Sequence, residues 1–192
     1  DTNEVHCIYI YSSEQMKLHN QANCKIEFII NNLINLNENL KKLNIPLTIV
    51  DSKGFCDNPK KILDIVKERS ISNVYWNNMF GTDESERDKK VKDLLDKENI
   101  KNISFNDQVV FAPGTIRTKE EKPYSVFTPF KRRWIENFNL DFLDIEFKYT
   151  TKDNADIYSN VNEFNFKFNK THSVGMSIWK IGETNALSIL EE

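Results

Sequence analysis

Between Thr82 and Asp88 the chain reads Thr-Asp-Glu-Ser-Glu-Arg-Asp, an acidic run with one guanidinium that directly follows an apolar stretch ending Val74-Tyr-Trp-Asn77. On a helix, Glu84 and Asp88 stand four residues apart, as do Asp83 and Arg87, so a carboxylate pair and an ion pair each share a face. An ionised carboxylate accepts two parallel hydrogen bonds from a ligand's N–H groups, and its charge strengthens them. A purely structural role accounts for the same residues. Acids in a first helical turn complement the positive end of the helix dipole, worth about 0.3–1 kcal/mol, and Thr82 has the side chain of an N-cap. His6 and His172 have no visible ligand partners. Cys7, Cys24 and Cys56 are too widely spaced for a disulfide framework or a zinc site, which predicts reduced, mostly buried thiols and no metal.

These residues need a scaffold, and the first two thirds of the chain supply alternating strand and helix signals. Val5–Tyr11 is rich in β-branched and aromatic residues and reads as a strand. From Cys24 to Leu43, the residues Ile26, Ile29, Ile30, Leu33, Leu36, Leu40 and Leu43 recur at helical intervals between Asn, Glu and Lys, the stripe of a helix lying on a sheet. Leu47–Val50 predicts a second strand after Pro46, Pro59–Arg69 a helix, Asn73–Trp76 a third strand and Thr82–Lys97 a helix with Arg87, Val91, Leu94 and Leu95 on one face. Ile100–Phe105 and Val109–Phe111 predict further sheet edge. Strands separated by helices imply parallel pairing. Beyond Trp134 neither period is sustained. Residues 139–181 read as an irregular connection, in which Phe164–Phe168 alternates like a strand, and 182–192 as the opening of a new helix.

Composition narrows the functional classes. A chain of 192 residues, 39% hydrophobic, buries one core, and a net charge of −3 disfavours holding nucleic acid unaided. No apolar run approaches the roughly 20 residues that span a bilayer, and Asp1–Glu4 lacks the pattern of a secretion signal, so the chain reads as cytoplasmic. With five Gly, at 54, 81, 114, 175 and 182, neither a Gly-x-Gly-x-x-Gly turn nor a Walker loop can be written.

Taken in order, the chain resembles the N-terminal α/β domain of the DNA photolyase and cryptochrome family. The resemblance rests on the opening strand, His19-Asn20, the long helix, Ile45-Pro-Leu, Tyr75-Trp-Asn77, Glu86-Arg-Asp88, Phe111-Ala-Pro-Gly114 and Tyr124–Trp134, and resumes at Trp179-Lys-Ile-Gly-Glu183. It covers roughly Val5–Phe138. The fold it implies is a Rossmann-like parallel sheet flanked by helices, lacking the family's first strand, which would precede Val5. It implies an antenna domain over 1–138, the connection over 139–181, and the start of the FAD-binding domain at 182–192, truncated at both ends.

The resemblance also implies a function. Such a domain holds a light-harvesting chromophore, methenyltetrahydrofolate in the folate-using members, while FAD and UV-damaged DNA are held by the helical domain that follows. The family's pterin contacts fall on Glu84, Asp83 and His19. Asp83 stands where the family has Asn, which removes an amide donor and adds a second negative charge beside Glu84. His19 reads equally as a surface loop residue. Arg87 and Asp88 read as structural, and Tyr124, Phe127, Phe130 and Trp134 as packing aromatics rather than a base-stacking surface beside Lys131–Arg133. No catalytic residue is expected, because electron transfer to a cyclobutane pyrimidine dimer needs the flavin. A non-enzymatic chromophore-binding or interaction module, cryptochrome-like or a relic, is the alternative. An unfilled central strand position would also favour self-association.

Overall fold

A computed structural model describes residues 5–139 and 179–191. The elements run β1 (Cys7–Tyr11), α1 (Ser13–Leu18), α2 (Asn23–Lys42), β2 (Leu47–Asp51), α3 (Asn58–Glu68), β3 (Asn73–Asn77), α4 (Thr82–Lys97), β4 (Lys101–Phe105), α5 (Phe127–Asn137) and α6 (Glu183–Glu191). They fall into two compact units. One holds the chain through Gly54 with the 179–191 segment, and the other begins at Phe55.

In the first unit β1 pairs with β2 in parallel, Cys7 opposite Leu47 and Tyr11 opposite Asp51. The predicted stripe of α2 buries Ile30 and Leu33, and Leu47 and Tyr11 complete the buried residues of the strands. At the carboxyl ends of the strands, Asp51 Oδ1 accepts the backbone N–H groups of Ser13 at 3.2 Å and Lys53 at 2.8 Å. Partial burial pushes this carboxyl up, but those bonds, one from the Ser13 side chain and the Lys53 charge outweigh it and hold it below the usual carboxylate range.

In the second unit β3 pairs with β4 in parallel, Asn73 opposite Lys101 and Asn77 opposite Phe105. Leu63, Val91 and Leu95 form its buried core, with Ile62, Val74, Trp76, Leu94 and Ile100 packed around them. α3 and α4 therefore lie on the Val74/Trp76 face of the ladder, as the two-residue period of a strand requires. Both ladders are parallel with a helix between strands, as expected. They are hydrogen-bonded as two separate two-stranded sheets rather than one. Val109–Phe111 lies outside both, a correction to the expected extra edge.

Four helices end the same way. Asn20, Asn44, Ser70 and Asn99 take positive φ between 48° and 57°. The next residue's N–H returns to the carbonyl of Met16, Leu40, Val66 or Leu95 respectively. These are Schellman stops, made without glycine. In the last three the returning residue is the apolar Ile45, Ile71 or Ile100, and Ile100 packs against the cluster that holds Leu95. Ser is less suited to this region than Asn, so Ser70→Gly is expected to stabilise the second unit by about 1 kcal/mol, read as a raised urea midpoint.

Two further expectations change. Cys24 and Cys56 are exposed thiols rather than buried ones. α5 buries no residue, although its aromatics do pack on one another: Phe111 meets Trp134 edge-on at 5.4 Å, Trp134 stacks on Phe138 at 5.2 Å and Tyr124 meets Phe130 at 6.1 Å. Phe127 stays largely exposed. The strand expected at Phe164–Phe168 lies outside the described residues.

Candidate chromophore site

The connection from β3 to α4 is short and tied at both ends. Asn78 N–H donates to the Phe105 carbonyl at 2.7 Å, and its side chain to Asn106 Oδ1 at 2.9 Å. Asn77 Nδ2 donates to Asp107 Oδ2 at 2.5 Å, closing the carboxyl ends of both strands. Ser85 Oγ then donates to the Met79 carbonyl at 2.9 Å, while Met79 N–H approaches Asp88 Oδ2 at 3.4 Å. The first turn of α4 is thus fixed against the end of β3. That is where ligands of open α/β sheets bind.

Gly81, not Thr82, is the N-cap of α4, a correction to the sequence expectation. Its carbonyl accepts the Ser85 N–H at 2.8 Å. Glu84, three residues on, folds back so that Oε2 fills the space a Cβ on Gly81 would need. The glycine supplies the room for that side chain, and no side-chain hydrogen bond caps the helix. Glu84 is half-buried and Asp83 exposed. Among the described residues neither carboxylate has a hydrogen-bond or ion-pair partner, so both have lone pairs available to a ligand.

Arg87 does not pair with Asp83. Its Nε and Nη2 both donate to Asp88 Oδ1, at 2.9 and 2.6 Å, and its guanidinium lies over the Phe55 ring at 5.1 Å. With both side chains under one fifth exposed, this is a sheltered pair that braces α4. It leaves Asp83 and Glu84 as the uncompensated charges of the first turn. Glu86 pairs along the helix with Lys90.

His19 stands in the first unit, at the C-cap of α1 rather than in an open loop, and its Nε2 accepts from the Gln15 amide at 2.7 Å. Asp83 and Glu84 share the first turn of α4; His19 belongs to the first unit. Sequence reasoning missed Gly81, Ser85 and Phe55. The signal for the first was present, a glycine three residues before a glutamate at a helix start. Among the described residues no group of three His, Cys, Asp or Glu could hold a metal.

Parallel strands joined by helices, with helices packed on them, define an α/β fold. The family model for DNA photolyase matches residues 1–149, and the chain belongs to that family. It is 32% identical over 134 residues to the deoxyribodipyrimidine photo-lyase of Vibrio cholerae, a match covering 70% of this chain and 29% of that protein. Among solved structures it resembles a class III photolyase from Agrobacterium tumefaciens, with TM-score 0.56 and 23% identity over 72% of this chain and 27% of that one. It also resembles an archaeal photolyase from Sulfolobus tokodaii solved with two FAD molecules, with TM-score 0.52 and 16% identity over 68% and 28% of the respective chains. The chain therefore spans less than a third of the length of each of these relatives.

Proposed function

We propose that this chain is the antenna portion of a deoxyribodipyrimidine photo-lyase, the enzyme that repairs cyclobutane pyrimidine dimers in DNA with light. It binds a light-harvesting chromophore and performs no catalysis by itself. The observation that carries the reading is the Glu84 carboxylate, half-buried without a partner among the described residues and turned back over Gly81 at the start of α4. Such an acceptor suits the adjacent amino and ring N–H groups of a pterin, so methenyltetrahydrofolate is the proposed chromophore. Glu84 is its anchor, with Asp83 as a further contact.

Residues 1–138 form the antenna domain, 139–181 the connection, and 182–192 the first turns of the domain that holds FAD and damaged DNA. The proposed setting is the cytoplasm; no helix among the described residues is long and apolar enough to cross a membrane.

The test uses the longer protein that carries the flavin-binding portion. Purified or supplied with methenyltetrahydrofolate, it is expected to gain a near-ultraviolet band beyond that of its flavin, and light absorbed in that band should drive dimer repair. Flavin absorbance alone, unchanged by added folate, overturns the folate assignment. The neighbour described with two FAD molecules and a novel light-harvesting cofactor favours a second flavin as the occupant in that event.

A further inference from the structure

The 179–191 segment meets α2 at one well-defined point, 150 residues away in sequence. Gly182 N–H donates to Asn32 Oδ1 at 3.0 Å. The same carboxamide donates through Nδ2 to the Phe28 carbonyl at 2.8 Å, one turn back along α2. Those two bonds settle which end of the amide faces Gly182: the nitrogen is committed to the helix, and the oxygen is left for the incoming N–H. Asn35, one turn further along α2, places Oδ1 within 2.5 Å of where a Cβ on Gly182 would lie. Gly182 also has φ +93°, where side chains are strained. Two independent requirements, backbone conformation and close approach, thus fall on one glycine.

The contact also starts a helix. The Gly182 carbonyl accepts the Ala186 N–H at 3.1 Å, and Asn185 Nδ2 donates to the Ile181 carbonyl at 2.5 Å. α6 buries no residue of its own, and Leu187, Ile189 and Leu190 are more than half exposed. The hydrogen bond that ties its start to α2 is the one from Gly182 N–H to Asn32.

We propose that Asn32, Asn35 and Gly182 form an intramolecular latch that seats the start of α6 on α2 and fixes the direction in which the chain leaves this unit. On the functional reading above, the latch is where the flavin-bearing remainder of the enzyme is tied to the chromophore-bearing portion.

Hydrogen–deuterium exchange of the full chain, followed by mass spectrometry, tests the latch without any chromophore, so failure of folate binding leaves its outcome unaffected. In the wild type, amides of 182–191 are expected to be protected. Asn32→Leu should speed their exchange several-fold, up to about tenfold, while peptides from α3 and α4 are unchanged. Asn32→Asp keeps the acceptor oxygen and should retain most of the protection. Gly182→Ala lies outside α2, so it carries the test if the Leu substitution disturbs that helix, and it should mimic Asn32→Leu. Exchange of 182–191 at the unfolded rate in the wild type, or no change there in Gly182→Ala, overturns the proposal.

Discussion

Glu84→Ala is expected to weaken methenyltetrahydrofolate binding by about ten- to a hundredfold in a fluorescence titration. The estimate follows from losing hydrogen bonds to a charged acceptor, about 1.5–3 kcal/mol, at about 1.4 kcal/mol per factor of ten. Glu84→Gln keeps one oxygen and loses the charge, so it should fall between alanine and wild type. Asp83→Asn should act the other way. It restores an amide donor and removes a negative charge beside Glu84, and affinity should rise several-fold. Asp83 is exposed, so its repulsion is partly screened and this gain is the smaller effect. Stability should barely move in either Glu84 variant, because an acid in a first turn contributes at most about 1 kcal/mol there. Equal affinities across all four proteins would remove Glu84 from the site.

Arg87→Ala should produce the larger change in stability, about 2–4 kcal/mol in urea unfolding of the second unit. The substitution strips Asp88 of both guanidinium bonds and leaves its carboxylate sheltered, with only the long contact from Met79 N–H. Removing one partner of a buried pair costs more than the pair itself contributes, because the remaining charge is left uncompensated. Contact with the Phe55 ring is lost as well. Arg87→Lys keeps the charge but cannot reproduce the two-nitrogen contact, so an intermediate loss is expected. A loss below about 0.5 kcal/mol for the alanine variant would mean that the pair is no brace.

Much of this architecture is legible in the sequence. The stripe on α2 and the α4 span follow from helical periodicity, and the Leu47 and Asn73 strands from short apolar runs between helices. Where reading failed, contacts distant in sequence or small local choices decided the outcome. Thr82 has the chemistry of a cap, yet Gly81 takes that position, and Glu84 occupies the space its missing side chain leaves. Arg87 has an acid four residues back and another beside it; the nearer one won, with Phe55 across the connection adding a surface that no spacing rule reveals. Val109–Phe111 has strand-like residues but forms no ladder among the described residues, and Phe111 instead meets Trp134. The helix stops at Asn44, Ser70 and Asn99 escaped notice because glycine is the usual marker and none is used. The candidate site was legible only through the resemblance, since acidic first turns are common and usually structural.

Backbone amide shifts of the isotopically labelled chain, recorded while methenyltetrahydrofolate is added, test most directly whether the first turn of α4 is a chromophore site. Saturable shifts concentrated on Gly81–Ser85, abolished in Glu84→Ala, are the predicted result. No shift at those amides, or the same shifts persisting in Glu84→Ala, would contradict it.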